Sequence, residues 1–167
     1  MIIGGDPGSN SGGLCLMDKN GRIWEVFKLK DATVLDTKLK IATWLECYGV
    51  EHFYLEWQGP RPAYRTEHLH CNCGRTVPVQ KQLQGVKSIW TFAQHFGELR
   101  ASIIGVIPLV EVRPDKWMKF LGCRTGGDKK VTKEFAQKYH PYFAKNITHW
   151  NADAILIAQY GVSQEYK

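Results

Sequence analysis

The chain has 167 residues, 44% of them hydrophobic and 23% charged, and a formal net charge of +6. That length and balance suit a single globular domain spanning residues 1–167 with a sizeable core, and they exclude a disordered chain. The longest apolar runs are too short to cross a bilayer and no basic n-region precedes the opening strand pattern, so neither a membrane anchor nor a secretory leader is expected.

Residues 1–6 read as a short buried strand closed by the turn PGSNSGG. GLCLMD (13–18) and RIWEVFKL (22–29) form an antiparallel hairpin signal around Lys19-Asn20-Gly21. Residues 33–48 carry a helical stripe at Leu35, Leu39, Ala42, Leu45 and Tyr48, and residues 52–56 form the next strand. Residues 57–79, with three prolines, read as a long irregular loop, a candidate functional segment. A long helix is predicted over about 84–104 on Val86, Ile89, Trp90, Ala93, Phe96, Leu99 and Ile103, apolar on more than one face and therefore either deeply buried or shared with a partner. IPLVEV (107–112) is a strand, and Pro114 opens a short helix DKWMKFL. After the Gly-rich basic loop CRTGGDKK come helices over about 129–139 and 150–161, separated by Pro141. The order implies an α/β fold in which a mixed β-sheet, an antiparallel hairpin plus parallel strands, is flanked by α-helices.

Three acidic residues stand at the ends of apolar segments: Asp6 after the opening strand, Glu56 ending HFYLE, and Asp153 in NADAILIAQYG. Carboxylates in such positions are costly unless a positive charge compensates them, and a converging trio suits divalent cations, which in pairs cleave phosphodiesters. The basic surplus fits a polyanionic substrate held around that acidic centre. Gly8 and Gly12 leave space beside Asp6, although an Asp before Pro-Gly also caps its own turn. Glu56 also reads as an edge-strand surface acid. His149 lies one helical turn before Asp153 and shares its face; as a neutral imidazole it could ligate metal or position water, or it simply packs.

Five cysteines, Cys15, Cys47, Cys71, Cys73 and Cys123, are an odd and scattered set that fits reduced thiols in an intracellular compartment better than a disulfide framework. His68, His70, Cys71 and Cys73 are too cramped for a usual structural zinc site, and a loop with free thiols is the favoured reading. Trp57 and Tyr64 offer aromatic faces for unpaired bases.

GGDPGSNSGG (4–13), FYLEWQ, LQGVKSIWTFAQHFGELRASI, VRPDKWMKFLG and NADAILIAQYG, in this order, resemble RuvC-type Holliday-junction resolvases of the phage and viral branch, within the RNase H-like fold. The resemblance implies Asp6, Glu56, Asp153 and His149 as catalytic metal ligands. It implies Mg²⁺ or Mn²⁺, two ions per site, and a symmetric homodimer acting on branched DNA. Many relatives carry a second Asp at the place of His149 or one residue nearer, where this chain has Trp150. Lys87, Lys116, Lys119, Lys129, Arg75 and Arg124 fall in DNA-facing segments, each otherwise a solvated charge. Relatives often have Lys where this chain has Met118, which makes Lys119 the substitute. Alternatives are a related nuclease of this fold acting on RNA or other branched DNA, and a non-catalytic nucleic-acid-binding module. An actin-like ATPase also begins with a strand, Asp and Gly-rich turn, but needs two such halves and a far longer chain.

Overall fold

The computed structural model describes residues 1–8, 12–57, 64–70, 73–82, 86–124 and 128–166, and within these it leaves out the side chains of residues 64–65, 80–82 and 86–88. Strands β1 (Ile2–Asp6), β2 (Gly13–Met17) and β3 (Ile23–Lys28) run antiparallel in sequence, and β4 (His52–Glu56) and β7 (Leu109–Val112) add in parallel, giving the order β3-β2-β1-β4-β7. Strands β5 (Tyr64–His70) and β6 (Thr76–Gln82) form a separate antiparallel hairpin. The helices are α1 (Val34–Tyr48), α2 (Val86–Ile103), α3 (Pro114–Leu121), α4 (Lys129–Tyr139) and α5 (Ala152–Glu165), with a 3-10 segment at Pro141–Asn146 before α5. No helix among the described residues is long and apolar enough to cross a membrane.

Side chains alternate across a pleated strand, so each central strand feeds two cores. Ile2, Cys15, Met17 and Tyr54 pack with α5 on one face, together with Trp117 of α3 and Ala136 of α4. Ile3, Leu14, Leu16, Phe53 and Leu55 pack on the other face with Ile41 and Trp44 of α1 and Leu99 and Ile103 of α2. Helix α5 is buried along most of its length, and glycine permits its close approach to the sheet. A Cβ on Gly4 would stand 2.4 Å from both the Ala154 carbonyl oxygen and the Ala158 nitrogen. Gly161 makes the matching approach farther along, where a Cβ would meet Tyr54 at 2.7 Å and Ile2 at 2.9 Å.

Helix α1 docks on a different face from the expected stripe. Its buried residues are Thr37, Ile41 and Trp44, while Leu35, Leu39, Ala42 and Tyr48 are exposed. Trp44 is the reason: its large ring is fully buried and its Nε1–H donates to Glu25 Oε2 at 2.7 Å, while Lys40 pairs with Glu25 Oε1 at 2.7 Å. A capping box between Thr33 and Asp36 starts the helix. Among the described side chains, helix α2 buries residues of its second half most deeply. Leu99 and Ile103 are buried, whereas Ile89 is 39% and Trp90 72% exposed.

The stretch expected as an irregular loop contains the β5–β6 hairpin, in register from Tyr64↔Gln82 to His70↔Thr76. Alternating Thr76, Val77, Pro78 and Val79 permit extended backbone because the proline sits in a two-stranded ribbon with an open edge. Cys73 is disulfide-bonded rather than a free thiol, while Cys15, Cys47 and Cys123 are free.

Gly4→Ala drives a methyl group into the α5 backbone, which cannot rotate aside. It should cost about 3 kcal/mol or more of unfolding free energy, at the upper end for overpacking. Urea unfolding checks this; an unchanged midpoint would mean that α5 does not sit this close to β1.

Candidate functional site

The pleat decides where the acids point. On β1, Ile2 and Gly4 face α5, so Asp6 does too; on β4, Tyr54 faces α5, so Glu56 does as well. The parallel register pairs Gly5 with Leu55, which sets Asp6 and Glu56 side by side at the carboxyl ends of adjacent strands. That end of an open α/β sheet is where such folds bind their ligands. Asp153 stands in the first turn of α5, next to the Ala154 that lies over Gly4. All three are buried: Asp6 is 2% exposed, Glu56 4% and Asp153 8%.

Asn151, fully buried, fixes the start of α5. Its Oδ1 accepts from the Thr148 N–H at 2.7 Å and its Nδ2–H donates to the Asn146 carbonyl at 2.9 Å, which ties the 3-10 segment to the helix. This residue sets the position from which Asp153 projects.

Asp6 is held in two ways. Its Oδ1 accepts from the Gly8 N–H at 3.1 Å, the turn-capping role. Its Oδ2 faces Lys129 Nζ at 3.5 Å, and the same ammonium stands 3.5 Å from Asp153 Oδ2. The turn that carries Asp6 is tight: Gly12 N–H donates to the Gly8 carbonyl at 2.7 Å, and a Cβ on Gly12 would lie 2.2 Å from that oxygen. Burial pushes the Asp6 carboxyl up to about 6; the Lys129 ammonium and the Gly8 N–H oppose the rise, and the Asp153 charge adds to it. Burial works against the charge on Lys129, yet the Asp6 and Asp153 carboxylates outweigh it and hold the ammonium above the ordinary lysine range.

Lys129 is therefore an inner cation of the acidic centre, not only a surface charge. Asp128 is the N-cap of α4, accepting from the Lys130 N–H at 2.8 Å, so Lys129 is the first residue of a helix aimed at the site. Asp153 Oδ1 is buried with no hydrogen-bond partner and Asp6 Oδ2 has the Lys129 ammonium beside it, so these hard carboxylate oxygens keep capacity for a cation such as Mg²⁺ or Mn²⁺. Among the described residues no group of three or more His, Cys, Asp or Glu side chains is drawn together as a ready metal cage, and Lys129 bridges the two aspartates instead.

The other expected site residues spread outward. His149 is exposed in the turn before α5. Lys116, Lys119, Arg124 and Arg75 are exposed; the side chain of Lys87 lies outside the description. Met118 packs against the core beside α5, so its lysine-free position is an inward one and Lys119 is its exposed neighbour. Trp57 continues β4 through its N–H to the Val112 carbonyl at 2.8 Å and lies under the Arg113 guanidinium at 6.0 Å. The Tyr64 side chain and Cys71 lie outside the described residues. His70 Nδ1 is 3.0 Å from Thr76 Oγ1 across the hairpin, and a disulfide-bonded Cys73 has no thiolate to offer zinc.

Two solved structures share this fold. T. thermophilus RuvC in complex with a Holliday junction substrate matches with a TM-score of 0.62 at 13% identity, covering 99% of this chain and 96% of that one. A Thermus thermophilus RuvC structure matches with a TM-score of 0.58 at 15% identity, covering 95% and 91%. No protein-family model and no curated protein sequence matches the chain. The fold is thus the RuvC-type, RNase H-like one over nearly the whole chain, as the sequence resemblance implied.

Lys129→Met removes the cation between two buried carboxylates. Lys129 is partly exposed, so the loss of stability should be on the order of 1 kcal/mol rather than that of a fully buried pair. The folded-state pKa of Asp6 is raised, so the wild-type folded chain already takes up a proton as pH falls through about 6. Without Lys129 the Asp6 carboxyl rises further, so the penalty should be full well above pH 6 and fade as pH falls to about 6, below which Asp6 is neutral in both chains. Urea unfolding in EDTA at pH 8 and pH 5 checks this; an equal effect at both pH values would contradict the pairing.

Proposed function

We propose that the chain is a divalent-cation-dependent endonuclease that hydrolyses phosphodiesters in four-way DNA junctions. The observation that carries the reading is the set of buried carboxylates Asp6, Glu56 and Asp153 on one face, at the carboxyl end of the sheet. Support also comes from the fold shared with a RuvC whose structure holds a Holliday junction, and from the net charge of +6 around this acidic centre.

Asp6, Asp153 and Glu56 would hold Mg²⁺ or Mn²⁺, with His149 as an outer ligand or as the group that orients water. Bound there, the cations supply Lewis-acid activation of water and neutralise charge at the leaving oxygen. The chain's own residues do the rest. The Gly8 N–H fixes one oxygen of Asp6, so the carboxylate does not rotate when substrate arrives. Lys129 compensates the Asp6 and Asp153 charges from between them and stands where it would also meet a phosphate oxygen. Lys116, Lys119 and Arg124, all exposed, hold neighbouring phosphates without reading sequence.

A four-way junction offers two equivalent strands, which a twofold pair of chains would meet with two identical sites. The exposed Trp90 and Ile89 in the first half of α2 support self-association there. Trp90→Glu should shift the sedimentation coefficient toward that of a monomer and leave unpaired nicks in place of paired ones; an unchanged coefficient would remove α2 from the contact.

Asp6→Asn, Glu56→Gln and Asp153→Asn should each lower the rate of junction cutting by at least about a thousandfold, the scale of losing a group used in the transition state. Binding to four-way DNA should persist. His149→Ala should slow cutting by about tenfold to a hundredfold, the weight of an outer-shell partner. The assay is incubation of four-way, flap and linear duplex DNA in Mg²⁺ and in Mn²⁺, read on a denaturing gel. Equal cutting by wild type and the three carboxylate variants would rule the mechanism out.

A further inference from the structure

On the sheet face opposite α5, at the same carboxyl end, a cleft of about 230 Å³ opens between the Pro7–Gly8 turn, α1 and α2. Leu29 and Leu99, both part of the second core, give it apolar walls. Helix α2 contributes a polar side. Glu98 Oε1 accepts from Gln94 Nε2 at 3.0 Å, His95 Nδ1 stands 3.8 Å from Glu98 Oε2, and Ser102 Oγ donates to the Glu98 carbonyl at 2.7 Å. A carboxylate has about four acceptor sites, so Glu98 retains acceptor capacity toward the cleft.

The cleft and the acidic centre share one piece of backbone. Gly8, whose N–H holds Asp6 Oδ1, also lines the cleft. A strand draped over this edge with a phosphate at Asp6 therefore carries a neighbouring base across the Pro7–Gly8 turn. The volume lies below that of a pocket for drug-sized ligands and suits one flat ring system. An anionic carboxylate in its wall repels phosphate and accepts from an amino group, as Glu and Asp do with cytosine N4.

We propose that this cleft receives one unstacked base of the bound DNA strand, beside the phosphate at Asp6, and selects a base bearing an exocyclic amino group over thymine. The inference rests on the nuclease reading for its ligand. Leu29 and Leu99 take the ring in place of its stacking neighbours, and Glu98 takes the amino hydrogen. Removing a base from the stack is least costly at a branch point, where neighbours are already unpaired.

The test uses full-length Glu56→Gln protein, so that nothing is cut, in EDTA. Four-way junctions carry an abasic site at each nucleotide flanking the exchange point in turn, and affinity is read by fluorescence anisotropy. One position should show a loss of about fivefold or more when its base is absent, and a smaller loss when it is thymine. Ser102→Leu, which fills the cleft, should bind every junction at the weaker affinity. Glu98→Gln, which keeps the shape, should lose the preference for the amino base. No position-dependent loss, no junction binding, or the same profile in the parent and both variants would overturn the proposal. Wild-type protein on the same junctions in Mn²⁺ separates the two readings: cutting with a flat affinity profile removes only the cleft, whereas a position-dependent profile without cutting removes only the nuclease.

Discussion

The close seating of α5 on β1 is the constraint on which the rest of the structure depends. Gly4 has no Cβ, so the backbone of α5 at Ala154 and Ala158 comes down onto the strand. This contact brings the first turn of the helix, with Asp153, to the same edge as Asp6. Strand pleating does the remaining work, because positions 2, 4 and 6 share a face and Tyr54 and Glu56 share it too. A slip of one residue in β1 would turn Asp6 toward α1 and α2 and dissolve the site.

Such a centre is electrostatically unstable alone. Burial is the main reason the Asp6 carboxyl is raised to about 6, and the neighbouring Asp153 charge adds to the rise. Lys129 offsets that repulsion from the N-terminus of α4, 3.5 Å from each aspartate. The ammonium and a divalent cation answer the same need, a positive charge between oxygens that have few other partners. The chain thus sets a compensating cation between its two buried aspartates.

Much of this was legible in the residues. Short apolar runs ending in Asp6 and Glu56 marked strand ends, and the turn glycines marked a tight turn. The α5 segment was readable as an apolar helix over about 150–161 carrying Asp153, whereas the 84–104 segment, apolar on more than one face, is buried at Leu99 and Ile103 and exposed at Ile89 and Trp90. Helix α1 was misread because periodicity counts apolar residues without weighing size. Leu35, Leu39 and Ala42 formed a regular stripe, but Trp44 with its Glu25 partner determined the buried face. The β5–β6 hairpin was hidden by Pro78 and by polar residues on both faces, since an exposed two-stranded ribbon has no core face to impose alternation. The inner role of Lys129 was illegible for another reason. Spacing in sequence places a lysine at a helix start, but only the packing of α4 against α5 brings it between two aspartates.

Calorimetric titration with Mn²⁺ tests the central claim most directly, because it reads the acidic centre without requiring DNA or chemistry. Wild-type protein should show saturable binding, absent in the Asp6→Asn, Asp153→Asn double variant and tighter in Lys129→Met. Equal binding by wild type and the double variant would contradict the account, since the cation would then be held by other residues.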